Sequence, residues 1–376
     1  MSDLNKTIEN LSDARTEKSV PYLLSQLIDS AIKGGASDVH IDPTDSLLQV
    51  RLRVDGQLLH FDPLPRRTHA EVISRLKVLA GLRTDEHFRA QDGRFGHETP
   101  QGTVSIRLSI APTYYGENAV LRLLRASGEE RTLSSCGFTQ KHEQDILSLL
   151  NRSHGMLLVT GPTGSGKTTT LYACMQALVQ RPLSIVSIED PVEYPLEGVV
   201  QIQANTATGF TFANSLRSVL RQDPDVIMVG EIRDGETARL AVNAALTGHL
   251  VLSTLHTNDA SSAPLRLVDL GVEPYLVAST LNLVISQRLV RKNCTACVQR
   301  IPVSEWEGTR LRSASFLPTY AYKSIGCDRC GESGYAGRTG VFEFLACGNR
   351  IQEAIAQKVS QSEMRKLARA AGAEPT

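Results

Sequence analysis

Gly155-Met-Leu-Leu-Val-Thr-Gly-Pro-Thr-Gly-Ser-Gly-Lys-Thr-Thr-Thr-Leu171 reads as a buried strand, a glycine-rich loop and the start of a helix. Within it, Gly161, Pro162, Thr163, Gly164, Ser165, Gly166, Lys167 and Thr168 satisfy G-x-x-x-x-G-K-[ST] at every fixed position, in the strand-to-helix context the motif requires. Gly164 and Gly166 let the backbone curl until successive N–H groups point inward at phosphate oxygens. The helix that follows, opening through Thr169, offers its positive end to the same anion. Lys167 can reach β- and γ-phosphates, and the Thr168 hydroxyl suits Mg²⁺. A glycine-rich turn that matches by chance is the alternative, and it would have to supply strand, loop, helix and both terminal residues together. The stretch implies a nucleotide site.

Working outward, 376 residues suggest two or three domains. Hydrophobic content of 41% and charged content of 21% are those of an ordinary soluble protein. Lys+Arg and Asp+Glu are both 40, which argues against a large nucleic-acid footprint while leaving a local basic patch open. No apolar run is long enough for a transmembrane helix. The N-terminus lacks a basic segment followed by an apolar one, so no secretory signal is expected. The expected location is the cytosol, with the seven cysteines mostly reduced.

Residues 1–19 are polar and without period, and a loose arm is expected there. Leu23, Leu24, Leu27, Ile28 and Ile32 form a helical stripe over Val20–Lys33, stopped by Gly34-Gly35. Alternating runs follow at 38–42, 47–53, 57–60, 93–95, 103–110 and 118–124, with a helix over 68–80 and an Asp55-Gly56 hairpin signal. Residues 20–125 therefore read as an α+β domain with an antiparallel sheet. Residues 126–136 are small and polar, a linker, and 137–376 form the phosphate-loop domain. A helix is expected over 140–150. Beyond it, strands at 156–160, 184–188, 226–229 and 250–254 alternate with helices at 167–180, 211–222 and 235–246, so the second sheet should be mainly parallel.

Asp223 to Glu231 is a buried strand ending in an acid, with Gly230 where many phosphate-loop enzymes place a metal-binding Asp. Glu231 is then the residue to orient the attacking water, unless it is a surface Glu closing a strand. Ile188 to Tyr194 packs three carboxylates, Glu193 among them, into a strand end and turn; a charged surface turn is the rival. His249 and His256 stand at the two ends of a buried strand, where either could sense a γ-phosphate or be a satisfied structural histidine. Cys294-x-x-Cys297 and Cys327-x-x-Cys330, with 29 residues between the pairs, suit a tetrahedral structural Zn²⁺ within an excursion over 291–335. Redox pairs are the alternative, but no thioredoxin-like context surrounds them. Cys136, Cys174 and Cys347 stand alone as small apolar residues. Arg107 and Arg122 lie on neighbouring β runs, and Arg217, Arg221, Arg233, Arg288 and Arg338 in the second half; composition does not say which are structural.

From about Val20 to near the C-terminus the chain resembles the secretion and pilus-assembly ATPases of type II secretion, type IV pili and competence systems. The resemblance rests on Ala36-Ser-Asp-Val-His-Ile, Gln91-Asp-Gly-Arg94 and Pro112-Thr-Tyr-Tyr-Gly-Glu117, then the phosphate loop, the Ile188–Tyr194 box, the Gly230-Glu231 strand end, the His249/His256 box and Gly337-Arg338-Thr-Gly-Val-Phe-Glu343, in that order. It implies an N-terminal α+β domain joined to a RecA-like phosphate-loop motor domain, using ATP, Mg²⁺ and Zn²⁺. It also implies a hexameric ring with nucleotide between the domains and the linker as hinge. By the same resemblance Arg107 and Arg122 reach phosphates, Arg338 belongs to that charge cluster, Glu231 is the catalytic acid and Glu193 a second acid near metal or water. The implied work is cytoplasmic ATP hydrolysis that adds pilin-like subunits to a filament, through an inner-membrane platform protein and without direct nucleic-acid binding. The sequence shows no extra domain ahead of residue 20, so docking on that platform is expected to differ from that of many relatives. Retraction-type relatives usually lack the tetracysteine site, so the four cysteines favour assembly or secretion. A retraction motor, a nucleic-acid translocase and a nucleotide-dependent scaffold are the rival functions.

Overall fold

The structure, a computed structural model, describes residues 19–124, 132–205, 208–303 and 319–373. The expected arm, apart from Ser19, and residues 126–131 of the expected linker lie outside these residues. The chain forms two compact units, one comprising the residues up to Ala126 with Arg291–Arg338, the other Ser127–Val290 with Thr339–Thr376.

The first unit opens with α1 (Val20–Lys33), whose buried face is Leu24, Leu27, Ile28 and Ala31. Pro21 fits its first turn, where no N–H is needed. Strands β1 (Ala36–Pro43), β2 (Leu47–Val54), β3 (Gln57–Pro65), β4 (Gln91–Thr99), β5 (Gly102–Thr113) and β6 (Gly116–Leu124) form one antiparallel sheet, in the order β3-β2-β1-β6-β5-β4. Asp55 and Gly56 both adopt positive φ, 48° and 84°, and connect β2 to β3 as a two-residue hairpin. Val39, Ile41, Val50, Leu52, Ile106, Leu108 and Leu121 fill one core with α1 and with α2 (His69–Leu79).

Inside that core lies a buried ion pair. The Lys77 ammonium, fully buried, meets the Glu117 carboxylate at 2.7 Å and donates to the Glu86 carbonyl at 2.5 Å. The other Glu117 oxygen meets His87 Nδ1 at 2.8 Å. Burial works against the charged form of Glu117, but His87 and Lys77 prevail and hold its pKa below the ordinary carboxylate value.

The first unit also holds a segment that the sequence places in the phosphate-loop domain. Strands β13 (Val298–Pro302) and β14 (Tyr320–Ser324) pair as an antiparallel hairpin. Residues 291–338 group with the N-terminal residues, and Asp55 gives a physical reason: its carboxylate accepts the Gly337 N–H at 2.9 Å and pairs with Arg338 at 3.8 Å.

In the second unit, α3 (Gln140–Leu150) precedes β7 (Gly155–Thr160), α4 (Lys167–Val179), β8 (Ile185–Glu189), β9 (Val200–Gln203), α5 (Phe212–Val219), β10 (Val226–Val229), α6 (Gly235–Leu246) and β11 (Leu250–Leu255). Helices α7 (Ser262–Asp269) and α8 (Pro274–Thr280) lead to β12 (Leu281–Asn293). Then β15 (Tyr335–Ala346) is followed by α9 (Asn349–Ala356) and α10 (Gln361–Ala370). The sheet order is β15-β12-β7-β11-β10-β8-β9, with β12, β7, β11, β10, β8 and β9 paired in parallel. Both faces are covered, which is why the central strands read as unbroken apolar runs rather than alternations. Leu157, Val159, Met228 and Leu252 face α3 and α4, while Met156, Leu158, Ile227 and Val251 face the core that α5 to α10 share. Of residues 132–136, Leu133 is buried in the same cluster as α3 and Cys136 packs against it, while Thr132, Ser134 and Ser135 are exposed. Among the described residues no helix is long and apolar enough to cross a membrane.

Lys77→Met should cost about 3–5 kcal/mol in urea unfolding, because it leaves the Glu117 carboxylate buried without its cation. Adding Glu117→Leu should recover most of that loss. A single-mutant cost below about 1 kcal/mol would show that the pair does not hold this core.

Candidate functional site

Strand β7 delivers the glycine-rich loop at its carboxyl end, and α4 carries the chain away. Gly161, Gly164 and Gly166 have φ of 141°, 77° and 86°, so the curl expected from the motif is present in the backbone. Lys167 is the first residue of α4, and its ammonium donates to the Gly161 and Pro162 carbonyls of its own loop, 3.0 Å each. Burial lowers the Lys167 pKa, while the negative charge of Glu231 works the other way. Thr168 is exposed on the first turn of α4, with Thr169 half-buried beside it.

Parallel pairing places three more chain segments at the same edge. Glu231 follows β10 and is largely buried; one carboxylate oxygen meets Arg233 at 2.6 Å and the other His256 Nε2 at 3.3 Å. His256 follows β11, the strand between β10 and β7. The strand ends are tied together: Thr254 Oγ1 donates to the Gly230 carbonyl at 2.7 Å, and the Ile232 N–H to the Thr254 carbonyl at 3.0 Å. Asp190, just past β8, adds its charge to that of Glu231 in stabilising the Arg233 guanidinium. His249, the other histidine of the box, lies at the amino end of β11 and bonds to the Ala244 carbonyl at 3.0 Å. Of the two, His256 alone is brought to the phosphate-loop edge.

The acidic box divides by role. Glu189 ends β8 with its side chain in the interior, where Tyr172 of α4 donates to one oxygen and Ser187 and Gln201 donate to the other at 2.6 and 3.1 Å. Burial, together with the Glu189 carboxylate, pushes the Tyr172 phenol far above its usual pKa, so it stays a donor. The Tyr172 oxygen also accepts the Glu193 N–H at 3.3 Å, and Gln201 donates to the Tyr194 carbonyl at 3.2 Å and accepts the Leu196 N–H at 2.7 Å. Glu189 thus anchors the strap that bears Asp190 and Glu193. Glu193 itself is half-buried.

In the first unit, Arg94, Arg107, Arg122, Asp38 and Arg53 stand opposite one another on β4, β5, β6, β1 and β2, a transverse row on one face of the sheet. Asp38 meets Arg122 at 3.0 Å and Arg53 at 3.9 Å. Arg338 pairs with Asp55, as described above. The four cysteines converge: their sulfurs all lie within 4.8 Å of one another, with Cys294–Cys327 at 3.9 Å, Cys297–Cys330 at 3.8 Å and Cys327–Cys330 at 3.7 Å. Four thiolates about 2.3 Å from a tetrahedral zinc would stand about 3.8 Å apart. A disulfide needs about 2.05 Å, so the spacing fits a shared ion and not bonded pairs. Backbone N–H groups of Cys327 and Gly334 donate to Cys330 Sγ at 3.3 and 3.2 Å, as the knuckles of a thiolate site do.

Residues 13–375 match the type II/IV secretion system protein family. The putative type II secretion system protein E of Escherichia coli (strain K12) is 44% identical over 361 residues, covering 96% of this chain and 73% of that protein. The type II secretion system ATPase E of Vibrio cholerae serotype O1 is 42% identical over 362 residues, covering 96% of this chain and 72% of that protein. Among solved structures, the pilus retraction motor PilT with bound ADP aligns with a TM-score of 0.62 at 27% identity, covering 91% of this chain and 87% of that one.

Tyr172→Phe removes a donor from a buried carboxylate and should cost about 1–3 kcal/mol in chemical unfolding. The strap from Asp190 to Leu196 should at the same time become more open to limited proteolysis. An unchanged cleavage pattern would separate the strap from the Tyr172–Glu189 bond.

Proposed function

The chain belongs to the type II/IV secretion system protein family, and from that premise we propose that it is an ATPase whose hydrolysis powers assembly of a pilin-like filament. It would work as a hexameric ring in the cytoplasm, at the inner face of the membrane, on an inner-membrane platform protein. The observation that carries the reading is the convergence of the Lys167 loop, Glu231 and His256 at the carboxyl ends of β7, β10 and β11. Ligands in open parallel sheets bind at that edge.

In this reading Lys167 leaves its loop carbonyls for the β- and γ-phosphates, and loop N–H groups such as those of Thr163, Gly164 and Gly166 bind the remaining oxygens. Thr168, exposed beside Lys167, would hold Mg²⁺, which supplies charge neutralisation on the phosphates. Glu231 orients the attacking water, while Arg233 and His256 fix the direction of its carboxylate. Glu193 is a second acid near water or metal, and Arg107, Arg122 and Arg338 are proposed to neutralise developing charge. Water attacks the γ-phosphorus, the bond to the bridging oxygen breaks, and ADP and phosphate leave. Cys294, Cys297, Cys327 and Cys330 would hold a structural Zn²⁺, which pins β13 and β14 rather than taking part in hydrolysis.

Retraction is the second reading, supported by the likeness to PilT. The tetracysteine cluster and the higher identity to type II secretion proteins favour assembly or secretion. The formal net charge of zero weighs against a nucleic-acid translocase.

Glu231→Gln should bind nucleotide normally and lose about a hundredfold or more in turnover, measured by phosphate release. Wild-type turnover would remove Glu231 from its role. Elemental analysis should find zinc in the purified chain, and Cys297→Ser should lower both zinc content and thermal stability. Metal-free protein of unchanged stability would overturn the zinc assignment.

A further inference from the structure

Gln287 of β12 is the residue on which the glycine-rich loop rests, and nothing in its sequence context marks it. Register pairs Ser286 with Thr160, the last residue of β7, so Gln287 falls just beyond the strand end where the loop begins. Its side chain is buried, and its Oε1 accepts the Thr170 hydroxyl at 2.7 Å. Thr170 is fully buried on the first turn of α4, and its N–H donates to the Gly166 carbonyl at 3.1 Å. Two of the loop's glycines come up against this residue, Gly161 against its main chain, with Ser165 crowding the same place, and Gly166 against its side chain. A Cβ at Gly161 would run into the Gln287 main-chain oxygen, and one at Gly166 would lie 2.8 Å from Gln287 Nε2. At Gly164, by contrast, a Cβ would meet nothing within 4 Å.

We propose that Gln287 is a positioning residue for phosphate binding: locked to Thr170, it sets the curvature of the loop between Gly161 and Gly166 and so the direction of the backbone N–H groups that meet the nucleotide. The proposal rests on the nucleotide-site reading given above. Thr170 is the second half of the device, because it ties the amide plane of Gln287 to the helix end that faces the phosphates. An amide is suited to the place: its oxygen takes the Thr170 proton while its NH₂ lies against the Gly166 backbone.

The test is binding of fluorescent ADP with Mg²⁺ to the full chain, with steady-state hydrolysis and thermal unfolding run alongside. Wild type should bind and Lys167→Ala should not; failure of wild type to bind would overturn the nucleotide site itself, and this proposal with it. Given wild-type binding, Gln287→Leu and Thr170→Val should each weaken binding about tenfold, raising KM much more than they lower kcat. The double variant should be no weaker than the weaker single one, because both remove the same lock. Thr170→Ser, which keeps the hydroxyl, should stay within about twofold of wild type. Gln287→Leu binding as wild type does would overturn the positioning role alone. So would Thr170→Val matching Thr170→Ser, a comparison that holds even where Gln287→Leu folds poorly.

Discussion

The residue-by-residue pairing of β7 with β11 on one side and β12 on the other is the constraint from which the candidate site follows. A strand buried on both faces and hydrogen-bonded on both edges has no freedom to shift along its axis, since a slip would leave buried N–H and C=O groups unpaired. Its end is therefore a fixed point, and the loop that leaves at Gly161 starts from a defined place. Parallel pairing then brings the ends of β11, β10 and β8 to the same edge without any contact among their side chains being required.

Electrostatics completes what the sheet begins. Glu231 lies between two partners of different character: the Arg233 guanidinium, which stays charged at any working pH, and the His256 imidazole. Lys167 sits in a partly desolvated loop whose carbonyls accept its protons. Those carbonyls are a modest partner for an ammonium compared with a phosphate. The acids of the box are divided between support and exposure, and the interior one is satisfied by three donors.

The local elements were legible because each had a period and a stop. The stripe of α1 ends at Gly34-Gly35 where the helix ends, and Asp55-Gly56 is the hairpin it announces. The two C-x-x-C pairs announced their own convergence. What escaped was anything set by distant pairing. No local feature of 281–293 says that it lies beside β7, so Gln287 could not be found from its neighbours in the chain. Arg233 looks like Arg217, yet one meets Glu231 and the other Glu236. Glu189 and Glu193 are the same residue type four positions apart; which one turns inward depends on Tyr172, contributed by a different element. The tie between 291–338 and the N-terminal residues through Asp55 likewise joins positions nearly three hundred residues apart.

The transverse arginine row has a thermodynamic consequence for the first unit. Like charges set directly opposite on adjacent strands tend to repel, and here Arg94, Arg107 and Arg122 succeed one another across the sheet, with Asp38 paired to Arg122. The sheet is held by its apolar face and carries this row of charged side chains on the other. An anion that bound that row only in the native sheet would act as a folding ligand, by the same linkage that makes any selective binder of the native state a stabiliser. Anion concentration and ionic strength are then variables of this unit's folding equilibrium, and not only of its binding.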